Sequence, residues 1–400
     1  MSRTLWMLGI TLICVQAANA FDWPQYLGPN GDRSSNETSW DQSWDVQDPA
    51  ILWRDRIGLG YSSVIVNATR AFTMGYDRRT GEDIVYAKDA LTGENLWTYR
   101  YPCNPYSNLH KGGPGASPLY HEGVVYTLSK DAHLFAFDAQ SGSVLWSHRL
   151  QDLLNTEPDY FGFTNSPLLS HDKLIVDVGT VAAFDLKSGE VIWQTSPHNH
   201  QYAPPGYFVQ DGRTILTSMN TDGLLLIDAQ TGEELGRFPI RLGRRNAFCN
   251  TPLYQDKTLL VSGNDTHGLI HLDVSDPSNI QENWSRRDVE NLFNQPALFQ
   301  GNLLVHSRNQ QLHCIDYDSG ETRWTSDELQ DGPFIIAGDK LLAISGVGEI
   351  LLGAISNQGL EIEGRKQIFG GNCWTPPVLA NGVIYCRNEN GDLVALDVRI

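Results

Sequence analysis

Eight short segments of this chain open at a proline or, once, at a valine, and the residues just ahead of them are the side chains best suited by type to hold a ligand. Two positions before Val64, Pro118, Pro167, Pro204, Pro252, Pro296, Pro333 and Pro377 stand Ser62, Ala116, Asn165, Tyr202, Asn250, Asn294, Asp331 and Thr375. Three equivalent asparagines among small polar neighbours would offer convergent amides, each with two donors and an acceptor, to a polar ligand or to water. The competing role is structural, because asparagine side chains commonly cap backbone groups at strand starts. Larger groups share the same stretches: His110 and Lys111, His198 and His200, Arg244 and Arg245, and Trp374. Together they would suit an anionic or aromatic ligand.

His198 and His200 alternate along an extended segment, so both imidazoles would share one face, as a transition-metal pair requires. No cysteine or carboxylate signature accompanies them, and no metal site is assigned. After the first twenty residues the cysteines are Cys103, Cys249, Cys314, Cys373 and Cys386, an odd number with no C-x-x-C pair. That pattern argues against a zinc site and a disulfide framework, leaving isolated buried thiols. No G-x-S-x-G elbow, P-loop or H-E-x-x-H sequence occurs, so hydrolase, nucleotide-binding and zinc-protease chemistry lack positive support.

These segments are positioned by a repeat. AKDALTGENLW (87–97), AFDAQSGSVLW (136–146) and AFDLKSGEVIW (183–193) are copies of one phrase, with weaker copies at 226–236, 272–284 and 314–324 and a half-copy at 395–400. A spacing of about 37 to 54 residues fits one four-stranded propeller blade per copy. Within a copy the apolar residues alternate with period two, the writing of β-strands. Asp89, Asp138, Asp185, Asp228, Asp273, Asp316 and Asp397 recur at the turn. Asp bonds amides two residues on and Gly supplies positive φ, so these carboxylates build hairpins and are not catalytic candidates. Trp97, Trp146, Trp193, Trp284 and Trp324, with Trp53 from an upstream strand, read as wedges docking each blade on its neighbour.

The expected fold is therefore all-β: an eight-bladed propeller of four-stranded antiparallel blades, occupying residues 50–400 as one domain. A strand near 51–56 would pair with the C-terminal blade and close the ring, removing exposed sheet edges. Residues 21–49, rich in Asn, Asp, Ser and Trp, are expected to run across the outside as an irregular arm. Residues 1–20 read as a signal peptide, with Arg3, an apolar stretch from Leu5 to Val15 and Ala18-Asn19-Ala20 before the cleavage point. Export to the periplasm or cell envelope as a soluble protein follows, and no later run has the roughly 18 apolar residues of a spanning helix. A net charge of −18 disfavours nucleic acid as a partner, since that affinity rests on Lys and Arg.

The phrase A-x-D-x-x-[ST]-G-x-x-x-W resembles the tryptophan-docking repeat of the quinoprotein alcohol dehydrogenases and their non-catalytic relatives, including the BamB lipoprotein of outer-membrane protein assembly. The opening DWPQYLGPNG (22–31) and GYSS (60–63) resemble exported PQQ-like propellers of mostly unassigned role. The resemblance covers nearly all of the chain beyond residue 20 and implies an eight-bladed fold. The dehydrogenases also carry a vicinal cysteine pair against the quinone and a calcium ion held by Glu and Asn beside a catalytic Asp; no adjacent cysteines occur here, and those ligand positions do not transfer. The leading expectation is a non-catalytic binding or scaffold protein whose channel face and loop rims meet a protein, peptide or small ligand. A PQQ-dependent oxidoreductase, with Trp374 stacked on the quinone, His or Arg side chains on its carboxylates and calcium beside it, is the alternative; carbohydrate or polymer binding is a third, to be revived by exposed surface aromatics.

Overall fold

A computed structural model describes residues 21–400 apart from 45, 241–246 and 264–266. Residues 1–20, read as a signal peptide from the sequence, and Arg244–Arg245 thus lie outside the described residues. Eight sheets of antiparallel strands follow one another, and a single short helix, Leu150–Leu154, is the only α-helix among the described residues. Blade 1 is formed by Ile65–Asn67, Arg70–Asp77, Glu82–Asp89 and Asn95–Pro102, and blades 2 to 7 repeat this up-and-down order. Blade 8 is shared between the chain's ends: Ala50–Arg56 pairs antiparallel with Asp392–Asp397, placing Trp53 opposite Ala395. The ring closes as its sequence pattern requires.

The aspartate hairpins form as expected. Asp89 accepts from the backbone N–H of Leu91 and Thr92 at 3.0 and 2.8 Å, and Asp185 accepts from Lys187 and Ser188 in the same way. Each wedge tryptophan then docks on the next blade's hairpin. Trp53, Trp97, Trp146, Trp193, Trp284 and Trp324 donate their indole N–H to the carbonyls of Ala90, Ala139, Leu186, Ala229, Tyr317 and Ser356 at 3.0–3.3 Å. The turn glycine has two reasons to be glycine. Gly142 has φ +73°, and a Cβ there would fall 2.6 Å from the Trp97 ring.

The seam between blades 8 and 1 has an additional clasp. The buried Arg387 guanidinium donates to the carbonyls of Ser62 and Met74, both at 2.8 Å, and to Gly58 at 3.3 Å. Desolvation lowers its pKa to about 10, so it remains charged among carbonyls at neutral pH.

The N-terminal arm corrects the expectation of an outer strap, because it enters the central channel. Trp23 bridges antiparallel to Val66 on blade 1's inner strand, and Pro24 accepts from the Tyr120 N–H on blade 2's. The chain turns through Gln25–Asp32, with Gly28 and Gly31 N–H bonded to Gln25 and Gly28 carbonyls. It returns as Ser34–Ser35, a fifth strand parallel to Phe334–Ala337, the inner strand of blade 7. Arg33 at the turn is buried, donates to the Gln295 carbonyl and stacks its guanidinium 4.9 Å from the Phe334 ring centre. Glu37 accepts from Gly382 N–H as the arm leaves beneath blade 8. The reason is edge chemistry: inner strands leave unpaired N–H and C=O groups facing the channel, and the arm satisfies those of blades 1, 2 and 7. Blade 4 keeps an open flank, with Tyr207 and Val209 about half exposed on its inner strand.

Two outcomes follow. Trp146→Ala is expected to cost about 3 kcal/mol, the low end for aromatic truncation because one ring edge reaches solvent; an unchanged denaturation midpoint would contradict the docking role. Deleting residues 21–41 is expected to lower the melting temperature while far-UV circular dichroism stays β-rich, and an unaltered melting curve would show that the arm adds nothing to the ring.

Candidate functional site

The inner strands all begin at one face, and their entry loops form the mouth of the channel there. Most residues ahead of the prolines prove to be latches between blades. Ser63 N–H bonds Ser117 Oγ and Ser117 N–H bonds Ser166 Oγ, both at 2.9 Å. Asn165 donates to the Ala203 carbonyl at 3.0 Å, Thr251 Oγ1 to Pro204 at 3.0 Å, and Gln295 exchanges two 2.8 Å bonds with the Thr251 backbone. Asn294 donates to the Asp331 carbonyl at 2.8 Å and Thr375 to that of Tyr61 at 2.9 Å. These bonds cross every seam but that of blades 7 and 8, where the arm steps in: Ser35 pairs with Ala337 while its Oγ donates to Leu379. Ser62 is fully buried, and its carbonyl serves Arg387. Asn250 is the exception, 2% exposed with neither amide atom hydrogen-bonded.

Aromatic rings cover these latches. Centroids step from Phe293 to Trp374 (5.2 Å), Tyr61 (5.6 Å), His110 (5.4 Å), Phe161 (5.3 Å) and Tyr202 (5.4 Å), with Tyr160 packed edge-on against Phe161 at 4.9 Å. The separations and the mix of stacked and edge contacts are those of attractive ring pairs. The collar runs over the entry loops of blades 6, 8, 1, 2, 3 and 4. Its outermost rings, Tyr160 and Phe293, are 57% and 45% exposed. Burial pushes the His110 imidazole down to about 4, so it joins the collar as a neutral ring whose Nδ1 accepts from Gly112 N–H. Lys111 pairs with Glu389 at 3.1 Å, and the Tyr61 hydroxyl donates to the same carboxylate.

His198 and His200 do not act as a metal pair. His198 Nε2 lies 3.1 Å from the buried Asp177 carboxylate, whereas His200 Nε2 lies 3.6 Å from Asp159, and the two imidazoles serve different partners. Among the described residues no three His, Cys, Asp or Glu side chains gather where a metal would sit. Asp177 also accepts from Ser218 Oγ at 2.6 Å, and Asp159 from the Tyr202 hydroxyl at 2.7 Å. Burial opposes both charges of the first pair, yet the pairing prevails: His198 is held above the usual imidazole range and Asp177 below the usual carboxylate range. Beside His198 a cleft of about 570 Å³ opens between blades 3 and 4, lined by Gln194, Asn199, Asn220, Asp222, Glu234 and Arg237 among others.

The five described cysteines are free and, being separated in sequence, cannot form a vicinal pair. Trp374 is already stacked on Tyr61 and Phe293, which occupies the ring that a quinone would need. The residues present do not fit a PQQ–calcium centre of the dehydrogenase kind.

Sequence reasoning singles out Trp374, His110, Lys111 and Tyr202 but misses Tyr61, Tyr160, Phe161 and Phe293. A periodic signal was available, because Tyr61, Phe293 and Trp374 each stand three residues before a segment's opening residue. Asp177 was legible as an aspartate at a strand end without the following Ser/Thr-Gly turn.

The His198–Asp177 pair has a defined pH window. The raised His198 pKa contributes stability below its unfolded value, lost as pH rises through the folded one; the depressed Asp177 pKa contributes above its unfolded value, lost as pH falls through the folded one. The pair is thus fully stabilising between about pH 4 and pH 6.5. The melting-temperature gap between parent and His198→Gln is expected to be wide near the upper end of that window and to narrow in alkali; a gap that does not vary with pH would contradict the ion pair.

Comparison with known proteins places this geometry. Relatives include the 1-butanol dehydrogenase (quinone) of Thauera butanivorans, 25% identical over 31% of this chain and 20% of its own length. The quinoprotein ethanol dehydrogenase of Pseudomonas aeruginosa is 26% identical over 35% of this chain and 22% of its own. The matched stretches thus span about a fifth of those enzymes. Among solved structures, BamB from Moraxella catarrhalis aligns over 87% of this chain and 99% of that one, with a TM-score of 0.66 at 17% identity. The quinohemoprotein alcohol dehydrogenase of Comamonas testosteroni aligns over 94% and 80%, with a TM-score of 0.71 at 13% identity. These likenesses show the fold. A PQQ-repeat family described as outer membrane protein assembly factor BamB matches residues 33–199, 81–326 and 177–399, and the chain belongs to that family.

Proposed function

We propose that this chain is a non-catalytic binding or scaffold propeller of the cell envelope that presents its channel mouth to a ligand or partner. The observation that carries the reading is the aromatic collar, laid across six entry loops and exposed at Tyr160 and Phe293, above a channel partly filled by the chain's own arm. Exposed aromatic rings rimmed by polar groups favour recognition, since they bury large area at little entropic cost. The signal-like first twenty residues support export, and among the described residues no helix is long and apolar enough to cross a membrane. Quinone-dependent oxidation is the competing role, and the separated cysteines and preoccupied Trp374 ring speak against it.

Two measurements test the proposal. Reconstitution with PQQ and calcium is expected to give no bound-quinone absorbance and no alcohol-dependent dye reduction; either signal would overturn the non-catalytic reading. Capture from envelope extracts is expected to yield a partner that Phe293→Ala loses, whereas capture indifferent to that change would move the binding face elsewhere.

A further inference from the structure

We infer that the binding face recognises a neutral oligosaccharide chain, lying across the loop 197–202 between the aromatic collar and the cleft beside His198. The inference rests on the binding reading above and assigns its ligand class. One flank of this loop is an aromatic platform: Tyr160 is 57% exposed, and Phe161 and Tyr202 pack behind it. The Tyr202 hydroxyl is fixed to Asp159 at 2.7 Å, which sets the orientation of the platform's inner ring. Aromatic faces carry negative charge density and attract the polarised C–H groups of a sugar ring.

The other flank is a polar cleft of about 570 Å³, within the range of small-ligand sites. Gln194 and Asn199 offer both donors and acceptors there, matching hydroxyl groups that also do both, while the largely buried Asn220 accepts from Asp222 N–H at 2.8 Å and shapes the floor. Its charges are largely matched. Glu234 holds Arg237 through two bonds of 2.6 and 2.7 Å, and His198 is paired with Asp177. Arg237 is therefore not free to draw in a polyanion, and a protein of net charge −18 repels one. Asp222 is a single carboxylate, too little to favour a basic peptide.

The two surfaces lie on either side of one loop. Asn199 lines the cleft and Tyr202 belongs to the collar, so the backbone between them spans at most about 10 Å. A chain of several sugar units reaches both, whereas a single sugar covers one. Asn199 is exposed on this path, and its carbonyl, accepting from Thr221 N–H at 3.1 Å, holds the loop's shape.

The test uses the full chain on an array of neutral oligosaccharides, followed by calorimetric titration with the strongest binder. Saturable binding is expected, insensitive to salt because no net charge is involved. Tyr160→Ala and Asn199→Ala are each expected to weaken it about tenfold or more with unchanged melting temperature. Leu145→Ala, an exposed change on blade 2's outer strand, is expected to leave it intact. Absence of any saccharide binding, binding retained by both variants, or salt-sensitive binding confined to Lys/Arg-rich peptides would overturn the assignment. If saccharides fail while a Phe293-dependent envelope partner is still captured, the ligand class falls and the binding reading stands.

Discussion

The docking of one tryptophan on the next blade's hairpin is the interaction from which the remaining architecture follows. A four-stranded blade buries too little by itself, so its stability lies in contacts with its neighbours. The indole supplies apolar area and one donor; the following hairpin supplies a carbonyl and a glycine whose missing side chain makes room. Gly189 shows how tightly the two are fitted, since a Cβ there would come 2.6 Å from the Trp146 ring. Repeated at six of the eight seams, with Gly236 and Gly364 at the tryptophan position of the other two, that contact sets the angle between blades and brings the entry loops together on one face.

Closure then determines what the mouth can be. The shared blade joins Ala50–Arg56 to Asp392–Asp397, Arg387 fastens the same seam from within, and the short side-chain latches fasten the others. At the junction of blades 7 and 8 the arm supplies the latch near the channel, and its Ser34–Ser35 strand also fills one side of the channel. The result is a channel obstructed along blades 1, 2 and 7 and open along blade 4. The mouth is thus a collar of rings seated on entry loops latched to one another.

The repeating parts of this molecule were legible because they are periodic: the aspartate hairpins, the wedge tryptophans and the closing strand each follow from local turn chemistry or edge chemistry. The arm was misread because its composition is that of a loop. What draws it inward is the row of unpaired backbone groups on the inner strands, a property of the assembled ring that no local pattern in 21–49 reveals. The site was half legible. Asn165 and Asn294 read from the sequence as amides open to a ligand, whereas in the structure they donate to carbonyls of the neighbouring blade. The histidines stand out by their spacing, whereas their pairing with Asp159 on another loop and Asp177 at a strand end becomes visible only in three dimensions.

That the arm lies inside the channel is tested most directly by native-state hydrogen exchange. The account predicts that the amides of Trp23 and Ile336, bonded to Val66 and Arg33, exchange as slowly as the blade cores. Rapid exchange at Trp23 and Ile336 while the blade cores remain protected would contradict it.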